Sequence, residues 1–174
     1  MRLKKRFMAL AALVGAVAAI STVAFATTTI NPANAPNGTH FKSGSATCTV
    51  GTTSVSCSGY TLAGVGNINA TATLSVVYTA TVVCVNNGNN TSDGQHQGSF
   101  SSTTGPVTLQ SKNGNLTVPQ LTNTAPTEGD FLAQQTCPNP NWTPTIPGGI
   151  HLSSFTYTLQ FAGFTGNYIT ITGP

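Results

Sequence analysis

Between Asn67 and Val85 the chain alternates. Every even position is apolar or small: Ile68, Ala70, Ala72, Leu74, Val76, Tyr78, Ala80, Val82 and Cys84. Most odd positions are polar: Asn69, Thr71, Thr73, Ser75, Thr79 and Thr81. A period of two sends successive side chains to opposite faces, so the run specifies a strand with one face in a core and one toward water. At about 3.3 Å per residue it would extend roughly 60 Å, too far for one straight strand of a small domain. A bend or bulge near its middle, or a strand shared by two sheets, is expected. The even phase puts Cys84 on the core side.

The rest of the chain supplies partners for this strand. Phe155, Tyr157, Leu159 and Phe161 alternate with Thr156, Thr158 and Gln160, and a turn over 163–167 leads into Tyr168-Ile169-Thr170-Ile171. Branched and aromatic residues of this kind fit a pleated, half-buried surface. Pro106–Ser111 and Leu116–Val118 flank Lys112-Asn113-Gly114-Asn115, and Asn-Gly accepts the positive φ of a tight hairpin turn. Residues 123–149 contain Pro126, Pro138, Pro140, Pro144 and Pro147, and read as a long ordered loop. No stretch carries a convincing 3.6 period. The fold class expected is all-β: a single antiparallel β-sandwich, immunoglobulin-like in outline, over residues 46–174. Residues 27–45, with Asn31-Pro32, Ala35-Pro36 and Asn37-Gly38, read as an extended N-terminal segment ahead of it.

Residues 1–26 have the three elements of a secretory signal peptide. Arg2, Lys4, Lys5 and Arg6 form the positive start, Phe7–Ile20 is an uncharged apolar run, and Ala24-Phe25-Ala26 is a small-x-small cleavage site. As a membrane anchor the run is near the short limit. The expected product is secreted, with no membrane contact after cleavage. Four of the six basic residues leave with that segment. The remainder keeps Lys42 and Lys112 against Asp93, Glu128 and Asp130, one unit negative. A nucleic-acid partner is excluded, because neutralising phosphates requires a basic face.

Four cysteines in an exported chain predict two disulfides. Four allow three pairings, and register selects among them. A two-residue turn at Thr52-Thr53 sets Ala46–Val50 against Ser54–Ser58 and places Cys48 opposite Cys57, as a non-hydrogen-bonded pair about 4.5 Å apart at Cα. Cys84 then pairs with Cys137.

Candidate chemistry is sparse. His40, His96 and His151 have no metal-site spacing, and bridged cysteines cannot ligate. Asn89-x-Thr91-x-Asp93-Gly94 has the start of a calcium loop, but Phe100 stands where the closing Glu belongs, so Asn86–Gly98 reads as a hairpin loop. Glu128 and Asp130 are the only paired carboxylates, two residues apart in a loop, and calcium there is the minor reading. There is no G-x-S-x-G elbow and no S-x-x-K. No catalytic residue, cofactor or metal is assigned. Asn37, Asn69, Asn89, Asn90, Asn115 and Asn141 begin N-x-Ser/Thr triplets, barely more than such a Thr-rich composition yields by chance. Trp142, the only tryptophan, sits in Cys137-Pro138-Asn139-Pro140-Asn141-Trp142. It is read as the apolar plug that fixes this loop, with stacking on a sugar as its possible ligand-binding role.

Leu62-Ala63-Gly64-Val65-Gly66-Asn67, the alternating strand into Cys84-Val85-Asn86-Asn87-Gly88-Asn89, Lys112-Asn113-Gly114 and Cys137–Trp142 resemble a group of small secreted bacterial proteins. The resemblance covers about residues 46–160 and implies a secreted, disulfide-bonded β-domain. Its motifs are turns and bridges, and no catalytic residue carries over. Where that group has a proline-containing loop after its third cysteine, this chain has Asn89-Asn90-Thr91-Ser92-Asp93-Gly94. The function expected is non-enzymatic adhesion or assembly at the cell surface or in the extracellular matrix. The alternative is a small carbohydrate-binding module using Trp142 and exposed tyrosines. A neutral, hydroxyl-rich surface favours self-association or neutral polymers such as glycans.

Overall fold

A computed structural model describes residues 26–91 and 96–174. The segment read as a signal peptide lies, up to residue 25, outside the described residues. Among the described residues no helix is long and apolar enough to cross a membrane.

The alternating run forms one continuous strand, β6 (Ala70–Val85), of 16 residues. All its even positions are buried, and the odd ones up to Thr81 are half-buried or exposed. Ile68 departs from the pattern: it lies before the strand in a turn where its N–H donates to Val65 O, and it stays 37% exposed. Around β6 are arranged β7 (His96–Leu109) on one edge, and on the other β11 (His151–Phe161), β12 (Ile169–Gly173) and β1 (Thr27–Ile30). β10 (Thr143–Thr145) continues the β11 side along the last residues of β6. Every pairing is antiparallel.

The irregularities expected in β6 sit in its neighbours instead. β11 carries an extra residue between Leu152 and Ser154. In β7, Val107 faces Ala72 and Thr104 faces Leu74, so Gly105 and Pro106 together oppose one residue. Gly105 has φ +100, and a Cβ there would lie 2.8 Å from Ala72 O, so the bulge requires glycine.

A single two-sheet sandwich does not describe what lies opposite. Among the described residues there are three sheets, two of them small. One contains β2 (His40–Ser43), β5 (Tyr60–Ala63) and β8 (Asn115–Val118); the other contains β3 (Cys48–Val50), β4 (Ser54–Cys57) and β9 (Leu121–Thr124). Their registers are continuous across the division, with Cys57 opposite Leu121 and Tyr60 opposite Val118. The ladder breaks where Ser58-Gly59 meets Pro119-Gln120, because Pro119 has no N–H to donate. Residues 27–45, read as an extended segment ahead of the domain, are built into the sheets as β1 and β2, with a 3-10 turn over Pro32–Asn34 between them.

Asn113 and Gly114 both take positive φ, 51 and 73, and Lys112 bridges to Asn115. The turn is the expected one, but the hairpin is not. Its arms belong to different sheets, β7 pairing with β6 and β8 with β5. A turn fixes local direction only, and burial on the large sheet outweighs pairing with the neighbour in sequence.

One hydrophobic cluster joins all three sheets, from Val55, Leu62 and Leu116 to Leu74, Tyr157, Leu159 and Ile169. A second, small cluster holds Ala80, Val82, Phe131 and Ile146 at the far end of β6. Phe131 belongs to α1 (Glu128–Leu132), a single turn inside the segment read as a loop.

Candidate functional site

Both expected disulfides form, Cys48–Cys57 by register and Cys84–Cys137 as the remaining pair. Cys48 and Cys57 face each other across the β3–β4 hairpin with Cα atoms 4.0 Å apart. Cys84 is buried at the end of β6 and is joined to Cys137, beyond α1, at a Cα separation of 5.9 Å. This second bridge, with β10, binds the proline-rich segment to the large sheet.

Phe131 anchors that segment. It is fully buried and stacks on Phe100 of β7 at 6.4 Å between centroids. The role given to Trp142 from sequence thus falls to Phe131 and Ile146. Sequence reading missed Phe131 because a five-residue helix is too short to show a period; Thr127, a helix N-cap type, was the available signal. Trp142 is half-buried in a turn closed by its N–H to Asn139 O, and it belongs to neither cluster among the described residues.

Glu128 and Asp130 occupy the first turn of α1. The Thr127 hydroxyl donates to Asp130 Oδ2 at 2.6 Å and accepts from the Asp130 N–H at 3.2 Å. Acidic residues there complement the partial positive charge of a helix N-terminus, so the pair has a capping role. Among the described residues no group of three or more His, Cys, Asp or Glu gathers. His40 bonds Gly38 O and His151 bonds Gly148 O, each at 2.8 Å and each exposed; His96 starts β7. The calcium-like motif lies partly outside the described residues, on the connection between β6 and β7.

An open cleft of about 320 Å³ is lined by Thr53, Thr124, Ala125, Pro126, Glu128, Ile146, Gly149 and Ile150. Its walls are mainly apolar, with the Glu128 carboxylate as its charged group. Three separate segments meet there, tied by Ala125 N–H to Thr53 O at 2.8 Å and Leu152 N–H to Thr52 O at 2.9 Å. No spacing in the sequence announces this.

The tyrosines turn inward. Tyr60, Tyr78, Tyr157 and Tyr168 are all at most 4% exposed, so the exposed tyrosines expected for a sugar platform do not exist. The Tyr60 and Tyr157 hydroxyls bond at 2.8 Å. Tyr78 donates to Asn123 Oδ1 at 2.9 Å, and Asn123 Nδ2 donates to Ser102 Oγ and Thr104 Oγ1, both at 3.0 Å. Asn123 thereby links β9 to two strands of the large sheet. Burial pushes all four phenols above their usual range; for Tyr60 the proximity of Tyr157 adds to it. These are structural groups, held neutral.

What the molecule presents outward is hydroxyl. Gln97, Ser99, Ser101 and Thr103 of β7 are exposed, and Ser75 bonds Thr103 at 3.3 Å on that face. On the small sheets Ser56 bonds Thr122 at 3.0 Å and Gln120 at 2.7 Å. Among the described residues β7 and β1 each pair with one strand only, so each end of the large sheet has an edge without a ladder partner; β9 touches β7 through side chains, Thr104 Oγ1 donating to Thr122 O at 3.1 Å. Neither edge strand contains Asp, Glu, Lys or Arg. Natural sheets usually blunt such edges with charge.

Comparison with protein-family models, curated proteins and solved structures returns no match for this chain.

Proposed function

We propose that this is a secreted, non-enzymatic protein that acts by adhesion or assembly at the cell surface or in the extracellular matrix. The observation that carries the reading is the pair of uncharged edges, unpaired among the described residues, on the large sheet. A free edge offers ladder hydrogen bonds to any added strand, and with few charges no long-range repulsion opposes contact. Two formed disulfides agree with an oxidising compartment, and the N-terminal charge and apolar pattern supplies the export signal. The fold is then read as a sandwich of immunoglobulin-like outline, with the two small sheets counted as one kinked layer because their registers run on.

The test is assembly and location together. Immunogold labelling of the producing cells is expected to place the protein on the surface or in the matrix. The purified chain is expected to form concentration-dependent oligomers or filaments, seen by electron microscopy. A monomeric chain retained in the cytosol refutes the reading. A second reading, a carbohydrate-binding module, is favoured by one observation: Trp142 is only half-buried, in a loop that a disulfide holds. Saturable binding on a glycan array, abolished by Trp142→Ala, would establish it over assembly.

A further inference from the structure

We propose that β7 is the assembly edge and that its partner is a second copy of the same strand, paired antiparallel about a two-fold axis through Phe100. This inference rests on the assembly reading above and names its surface.

Three observations converge on it. The first is length. β7 has 14 residues against four in β1, and its bulge at Gly105-Pro106 leaves His96–Thr104 as an unbroken stretch. More ladder bonds can form along β7 than along β1.

The second is occupancy. Register places Gly98, Phe100, Ser102 and Thr104 on the core face, opposite Ala80, Tyr78, Val76 and Leu74. Those side chains serve the interior: Phe100 stacks on Phe131, and Ser102 and Thr104 bond Asn123. Gln97, Ser99, Ser101 and Thr103 point outward and are exposed. Among the described residues this stretch keeps, besides the half-buried Phe100, only backbone groups, the Gln97 amide and short hydroxyl side chains, with no Asp, Glu, Lys or Arg to select a foreign chain.

The third is self-complementarity. A two-fold pairing sets each residue opposite one residue of its own copy, so any charge near the axis meets its like. The stretch Gln97-Gly98-Ser99-Phe100-Ser101-Ser102-Thr103 has none. About Phe100 it pairs Ser99 with Ser101, Gly98 with Ser102 and Gln97 with Thr103. Phe100 meets Phe100 of the partner subunit, an aromatic cross-strand pair of the favourable kind. The large sheets of two copies then join into one.

Sedimentation equilibrium of the purified chain tests this, with Ser101→Lys, the double variant Ser99→Glu with Ser101→Lys, and Ser154→Lys. Ser99, Ser101 and Ser154 are all exposed, so unchanged near-ultraviolet tyrosine circular dichroism is the check on folding. Wild type is expected to dimerise. Ser101→Lys should weaken the dimer about tenfold, since two ammonium groups approach across the axis. The double variant should recover it, because the carboxylate introduced at position 99 of each copy then faces the ammonium introduced at position 101 of the other. Ser154→Lys, in the middle of the large sheet, should leave it unchanged. Oligomers indifferent to Ser101→Lys, or a double variant no better than the single one, would overturn the β7 pairing and leave assembly standing. A monomer at every concentration would overturn both.

Discussion

The leading stretch of β6, Ala70–Thr79, lies between two long strands and buries its even side chains in the cluster that all three sheets share. The trailing stretch, Ala80–Val85, meets a three-residue strand, one turn of helix and a disulfide. The alternation runs through the first and into the second as far as Val82, after which Val83 is buried along with Cys84. What differs is the opposing layer. Opposite the leading stretch, the small sheets present a continuous apolar face. Opposite the trailing stretch, a proline-rich segment presents only Phe131 and Ile146. Apolar area and the Asn123 hydrogen bonds hold the first layer, while the second relies on a covalent tie and one aromatic anchor.

Removing the tie should have the largest effect. Cys84→Ser with Cys137→Ser opens a loop of sequence separation 53, and chain entropy puts the loss at about 4 kcal/mol. Cys48→Ser with Cys57→Ser opens a separation of only 9, for about 2.5 kcal/mol. Denaturant unfolding of the two double variants measures the difference, and an equal loss would mean that loop length does not govern it. Phe131→Ala should cost about 3 kcal/mol, but unevenly. Amide exchange should quicken over residues 125–150 while Ala70–Thr79 stays protected. Uniform loss of protection would merge the two regions into one cooperative unit. In the main cluster, Asn123→Ala strands the Tyr78 hydroxyl and should cost about 2 kcal/mol by the same unfolding measurement.

Alkaline pH should strike the main cluster selectively. Its four buried phenols have raised pKa values. An unfolded chain releases those protons near pH 10, about the ordinary tyrosine value, while the folded chain retains them. The stabilisation is therefore complete below about pH 10 and is lost as pH rises from there toward the folded values. Thermal melts from about pH 8 to 11 should decline only above about 10, and Tyr60→Phe should soften that decline. The smallest effect belongs to Trp142→Ala. Outside both clusters, it should change stability by less than about 0.5 kcal/mol, and a larger loss would return to it the anchoring role now assigned to Phe131.

The sequence expressed the strands that bury one face. β6 and β11 alternate strongly because half of each strand is core, and the Thr52-Thr53 turn fixed Cys48 opposite Cys57. His96–Thr104 was not legible as a strand. Apart from Phe100, its core-face residues are glycine, serine and threonine, so it carries little hydrophobic signal. Phe131 was hidden by the shortness of its helix. The cleft beside Glu128 draws on three separate segments and has no spacing of its own.

By itself, then, the sequence determined an all-β chain, its two bridges, its Asn-Gly turn and its nearly chargeless surface, each the product of local periodicity or composition. Tertiary structure alone decided that the arms of the Asn-Gly turn diverge into different sheets, that the second layer divides at Pro119, that the tyrosines face inward, and that β7 has one ladder partner among the described residues. Those outcomes depend on which strands bury their faces together, and burial is a property of the assembled layers that no single segment encodes.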